Sequence, residues 1–258
     1  MIYKIFREKT PKEVPAKATP QATASIPERT PIPAWLTQDH FEDIVKKDVS
    51  DFRAIKSYKV GAATVAGDNY ASSILKIDIE AEKQNGSLEN VNYMLKVPVT
   101  GEHVQEMTAS METFKKEALF YHDLKDKFEN IYQQHGKKVE FGPKGHSFTK
   151  PVEVPTVLMK NLRPEGYKNA NRFEGLDLEH TKLVLEKVAQ LHAVSATYYA
   201  QGNHMEHSLT QSMYSEKSRP FMEKISKSFF GSMLKCYAEY ENNEEYLPLM
   251  VGLFKLLL

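Results

Sequence analysis

Glu117 breaks the pattern of the segment that carries it. It falls three residues after Phe114 and four before Tyr121, inside an apolar stripe of Met107, Met111, Phe114, Tyr121, Leu124, Phe128 and Ile131. A carboxylate in such a stripe is costly unless a cation meets it. Lys96 offers that cation. It points away from the face shared by Tyr93, Leu95 and Val97, on a stretch that is apolar to either side. A lysine held by a glutamate presents a fixed ammonium to phosphate oxygens. The plainer alternative is that Glu117 snorkels to water from the stripe's edge and Lys96 is solvated.

Upstream lies Ala66-Gly67-Asp68-Asn69-Tyr70-Ala71-Ser72. A turn of this kind, with Gly67 and several backbone N–H groups, could cover phosphates. With a single glycine it also reads as an ordinary hairpin turn. Other chemistry-bearing residues point elsewhere. His122-Asp123-Leu124 reads as a solvated helix face, and His192 as a hydrogen-bonded core histidine. His204 and His207 could share a metal if helical, but no third ligand accompanies them. The lone Cys236 reads as packing, and the methionines as core filler.

These residues need elements to position them. Strands are expected from Ile55 to Pro98. Tyr58, Val60 and Val65 open the section, and residues Ala71 to Glu80 alternate with a period of two. Asn85-Gly86 signals a reversal, and Val91, Tyr93, Leu95 and Val97 then alternate again, which makes an antiparallel hairpin. A long helix follows, from about Val104 to a stop at Gly136. A short strand is expected over Val154 to Met159, then a turn-rich connection with Pro164, Gly166 and Gly175. Asp177 caps a second helix running to about Ala200, with a stripe of Val184, Val188, Leu191, Ser195 and Tyr198. More helix is expected from Pro220 to about Tyr240 and again near the end. Residues Thr10 to Pro33 are rich in Pro, Ala and Thr and read as an extension or linker, with a globular domain starting near Trp35.

The order of turn, strand lysine and helix glutamate is that of a kinase N-lobe. At this point the sequence resembles the insect ecdysteroid-kinase-like (CHK kinase-like) family, a relative of choline and aminoglycoside kinases. The blocks that carry the resemblance are Gly67 to Ser72, Met94-Leu95-Lys96-Val97-Pro98, Phe114-Lys115-Lys116-Glu117 with Phe120-Tyr121, and Val157 to Leu162 with Gly166-Tyr167. The last runs from Gly175-Leu176-Asp177 to Leu191-His192-Ala193-Val194-Ser195. The resemblance implies a kinase-like α+β fold: an antiparallel N-lobe sheet with its long helix, a hinge, and a partial helical C-lobe. It implies three regions, an extension over 1–33, an N-lobe and hinge over 34–162, and the start of a C-lobe over 163–258. It implies ATP and Mg2+ as cofactors, and phosphoryl transfer to a small-molecule alcohol such as an ecdysteroid or a xenobiotic-derived alcohol. Lys96 would be the nucleotide lysine and Glu117 its partner. Gly67, Asp68, Asn69, Tyr70 and Ser72 would cover the phosphates, and Met159, Lys160, Asn161 and Leu162 would offer backbone groups to adenine. The family hinge usually carries an acidic residue where Lys160 stands.

Phosphoryl transfer of this type also needs an aspartate to accept the hydroxyl proton, and an asparagine and second aspartate for magnesium. In the family these lie after the Leu-His-Ala-Val-Ser helix. No aspartate follows Asp177 here, and the chain closes on the apolar run Leu253 to Leu258. A chain stopping short of its catalytic loop is therefore expected, with no catalytic residue of its own. The alternative function is a catalytically inactive, pseudokinase-like module that binds nucleotide or a partner.

Composition narrows the field further. The 258 residues carry 34 Lys+Arg against 34 Asp+Glu, a formal net charge of zero, which argues against a strongly basic nucleic-acid binder. One cysteine excludes an internal disulfide framework and favours a reducing, cytoplasmic setting. No stretch approaches the roughly 20 apolar residues of a membrane span.

Overall fold

The computed structural model describes residues 5–7, 32–63, 72–99, 106, 108–171, 174–212, 215–239, 244, 246 and 248–252. Five strands form an antiparallel sheet in the order β2-β3-β4-β6-β5, from β2 (Phe52–Ala62), β3 (Ser72–Lys83), β4 (Leu88–Pro98), β5 (Gly145–His146) and β6 (Val157–Lys160). The β3–β4 turn is where Asn85-Gly86 placed it. Gly86 takes φ 81°, a left-handed conformation that glycine adopts without a Cβ penalty. Asn85 Oδ1 accepts from the Ser87 backbone N–H at 2.9 Å and from the Ser87 hydroxyl at 2.7 Å. β6 is shorter than the expected 154–159. It starts after Pro155, which has no N–H to give a ladder.

Period-two alternation gives the sheet two different faces. Leu75, Ile77, Ile79, Ala81, Tyr93, Leu95, Val97 and Leu158 lie on one face and form the main core. Helix α1 (Glu42–Asp48) covers that face with Ile44 and Val45, joined by Phe41 and Val49. Burying aliphatic side chains of this size is worth roughly 1.5–3 kcal/mol each, so this face carries much of the folding energy. Helix α1 is not among the elements expected from the sequence, although Phe41, Ile44, Val45 and Val49 recur at helical steps.

The opposite face receives the long helix, which is not one regular helix from 104 to 136. Residues 101–105 and Met107 lie outside the described residues. Met111-Glu112 is a turn, with Glu112 at φ 51°. Helix α2 then runs over Thr113–Leu119, a π-helical segment over Phe120–Leu124, and α3 over Lys125–Gln134. The π segment explains how one apolar stripe serves two surfaces. Phe114 and Tyr121 pack on the sheet against Val157. Leu124 and Phe128 instead pack against Val194 and Tyr198. A wide turn rotates the stripe between those two targets. The helix stops before Gly136, at φ 69°.

The second helix, α4 (Leu178–Ala200), matches its expected limits. The Asp177 carboxylate accepts the His180 N–H at 2.7 Å, satisfying one orphan donor of the first turn. Its buried residues are Val194 and Tyr198, while Val184, Val188 and Leu191 are half-buried. α5 (His207–Thr210) and α6 (Arg219–Tyr237) follow. Three residues depart from expectation. His192 is exposed on α4 rather than in a core. His204 precedes α5, so it does not share a helical face with His207. Cys236 is exposed on a helix that has no buried residue. A short strand, β1 (Ile5–Arg7), within the stretch read as an extension, pairs antiparallel with β7 (Tyr167–Asn169). Residues 8–31 lie outside the described residues.

Candidate functional site

The register places Lys96 directly opposite Ile74 on β3 and Val157 on β6. Direct antiparallel partners share a face. Lys96 therefore stands with Ile74, Val157 and Met159 on the face that meets α2, and Ser72 heads the same row from the start of β3. Leu95 and Val97, one residue to either side, face the α1 core. The alternation that buries the neighbours of Lys96 thus forces it toward the helix.

Glu117 of α2 receives it. Lys96 Nζ donates to Glu117 Oε2, and each side chain is 12% exposed. Phe114, one helical turn earlier, sets its ring 5.5 Å from the same ammonium. The lysine is boxed by a carboxylate and an aromatic face on one helix, which leaves the snorkelling alternative without support. Glu117 Oε1 is buried without a hydrogen-bond partner among the described residues. An ammonium fixed this way keeps its direction, as phosphate binding requires.

The helix approaches the sheet closely just beyond Glu117. A Cβ on Gly145 of β5 would lie 2.4 Å from the Tyr121 carbonyl oxygen in the π segment. Only glycine permits that contact, and it sets how deep the helix sits over β4 and β6.

The strand–turn junction expected to meet adenine is present but largely committed to the sheet. The Lys160 N–H donates to the Lys144 carbonyl at 2.8 Å, and the Asn161 N–H donates to the Asn92 carbonyl at 2.9 Å. Asn161 is buried, its Oδ1 accepts from the Arg163 N–H at 3.0 Å, and its Nδ2 has no hydrogen-bond partner among the described residues. The Leu162 carbonyl accepts from the Glu165 N–H at 3.0 Å, closing a turn that ends at Gly166 with φ 88°. Lys160, standing where an acidic residue is usual, is exposed and pairs with Glu165. Gly67, Asp68, Asn69 and Tyr70 lie outside the described residues, and Ser72 is buried. Among the described residues no cluster of three or more His, Cys, Asp or Glu side chains could hold a metal, so magnesium ligands are not assigned to them.

Two polar groups near this frame carry no local signal in the sequence, one on the α1 side of the sheet and one on α2. Asp48, at the end of α1, accepts from the Tyr93 hydroxyl at 3.0 Å and from Lys144 Nζ at 2.5 Å, and lies 3.3 Å from His146 Nε2. Burial holds the His146 pKa below its usual range, more than the facing Asp48 raises it. Burial likewise pushes the Tyr93 phenol far up. Lys115, two residues before Glu117, pairs with Glu206 at 2.7 Å. No local pattern could announce partners so far apart in the chain.

An antiparallel five-stranded sheet, a helix glutamate on a strand lysine and a following helical region define an α+β, kinase-like fold. The profile of the ecdysteroid kinase-like family matches residues 66–253, and the chain belongs to that family. A search of curated proteins and a search of solved structures gave no match. No helix among the described residues is long and apolar enough to cross a membrane.

Proposed function

We propose that these 258 residues form the nucleotide-binding half of an ATP-dependent small-molecule kinase. The observation that carries this reading is the part-buried Lys96–Glu117 pair on the helix-facing side of β4. Lys96 would hold the α- and β-phosphates, and Glu117 would keep its ammonium aimed. The turn Gly67 to Ser72 would cover the phosphates, and the junction Met159 to Leu162 would border adenine as the hinge. In this division residues 1–33 are an extension or linker ahead of the N-lobe, 34–162 are the N-lobe and hinge, and 163–258 begin the C-lobe. Family membership supports a phosphotransferase acting on a small alcohol. An ecdysteroid or a xenobiotic-derived alcohol is the finer proposal. The chemistry supplied by ATP with Mg2+ is transfer of the γ-phosphoryl group, and positioning and charge neutralisation do most of the catalytic work.

A second reading is favoured by one fact. No aspartate follows Asp177, so the residues that would accept the hydroxyl proton and hold magnesium are not supplied by this sequence. On that reading the chain binds nucleotide or a partner without transfer. Two measurements separate the readings. ATP should raise the melting temperature of the 258-residue chain, and Lys96→Ala should remove the shift; no shift in the parent chain sinks nucleotide binding. Labelled-phosphate transfer from ATP to alcohols, lost in Lys96→Ala, would sink the non-catalytic reading.

A further inference from the structure

The helix that carries Glu117 is gripped on its outer side by a distant segment. Lys115 Nζ donates to Glu206 Oε1 at 2.7 Å, and Lys116 Nζ to the Gln211 carbonyl at 3.1 Å. Lys217 Nζ donates to Glu112 Oε1 at 3.0 Å. The three contacts fall within one helical turn's length of chain on one side and within residues 206–217 on the other. Glu206 is itself fixed. It caps α5 by accepting the Ser208 N–H at 3.1 Å, and it takes the hydroxyl of Ser208, which is buried.

Several features make this grip matter to the site. Lys115 and Glu117 are two residues apart, about 200° around a helix, so opposite sides of one turn face segment 206–217 and the sheet. Glu112, the N-cap of α2, holds a left-handed φ of 51°, and its side chain makes no capping hydrogen bond. A helix of seven residues does not hold its own axis and needs outside anchors. The π segment over Phe120–Leu124 follows at once, so α2 can shift there without dragging α3 along.

We propose that Glu206 is a positioning residue: through Lys115 it sets the rotation and depth of α2, and so the pairing of Glu117 with Lys96. The functional consequence rests on the reading of that pair as a nucleotide site. Segment 206–217 becomes a point from which nucleotide affinity is tuned. Phe114 of α2, with Tyr121 in the π segment just beyond it, also packs on the sheet, so loss of the bridge shifts the pair rather than abolishing it.

Two readouts on the 258-residue chain test this: an ATP titration, and the rate at which an acylating reagent modifies Lys96 without nucleotide. Glu206→Gln keeps the capping oxygen and removes the charge. It and Lys115→Gln are each expected to weaken ATP binding roughly two- to fivefold and to speed Lys96 acylation. The double variant should be no worse than the weaker-binding single, and Lys115→Arg should stay near the parent. In a Glu117→Gln background, Glu206→Gln should add nothing. Unchanged affinity and acylation in both singles overturn the proposal, and so do effects that simply add. If the parent binds no ATP while Lys96 acylation still tracks Glu206, the nucleotide reading fails and the positioning role stands.

Discussion

Lys96 on β4 and Glu117 on α2 form a part-buried ion pair across the sheet–helix interface, with the Phe114 ring against the same ammonium. Removing one partner strands the other charge out of water. Glu117→Leu should therefore lower stability by about 1–3 kcal/mol, short of the larger cost of a fully buried pair. Lys96→Met added to Glu117→Leu should recover part of that loss, because no unpaired charge remains. Urea unfolding of the four species gives the coupling directly. Additive losses would mean that the two side chains do not stabilise each other.

The same pair makes a binding prediction. Glu117→Ala should weaken ATP binding by tenfold or more, whereas Lys127→Ala, on an exposed part of the following helix, should leave it within about twofold. Equal effects in a titration would argue against Glu117 as the partner of the nucleotide lysine.

Gly145 sets the depth of the helix. A methyl group there meets a backbone carbonyl, which cannot rotate aside as a side chain does. Gly145→Ala should cost about 1–3 kcal/mol and reduce the nucleotide-dependent thermal shift as well. Gly86→Ala makes a useful contrast, because nothing lies near its Cβ position and only its positive φ opposes the change. If Gly145→Ala melts with the parent chain, the close approach does not constrain the interface.

His146 gives a signed pH dependence. Burial depresses its native pKa below the ordinary 6.5, so the native state holds it neutral while the unfolded chain protonates first. The unfolded state then binds more protons, and stability falls as pH drops from about 6.5 toward the native value. Asp48 faces it and opposes the shift, Lys144 adds to it, and His122 shifts the same way through burial. Urea midpoints between pH 7.5 and 5.5 should fall for the parent and less steeply for His146→Gln. Parallel slopes would assign the acid sensitivity elsewhere.

Much of the fold is legible locally. Asn85-Gly86 marks the hairpin because only a short polar residue and glycine suit its turn. Asp177 marks the start of α4 because a carboxylate satisfies the first N–H groups. The candidate pair is legible too: Lys96 alternates against an apolar face, and Glu117 interrupts an apolar stripe. Other features leave weaker traces. Helix α1 is encoded in Phe41, Ile44, Val45 and Val49, but seven residues give a short periodic signal. The break at Glu112 has no turn residue to announce it, since a glutamate at φ 51° is held there by its surroundings. The exposure of His192 and Cys236 depends on what packs beside α4 and α6, which periodicity does not report.

The sequence by itself determined which residues could meet: the strand alternation, the glutamate in the stripe, the hairpin and the capped helix are all set by side-chain period and backbone preference. Tertiary structure decided how they meet. The π segment that splits one stripe between sheet and α4, the Gly145 contact that sets the helix depth, and the Lys115–Glu206 bridge all join residues far apart in the chain. Such contacts depend on distances between packed elements, and no local pattern of amino acids carries that information.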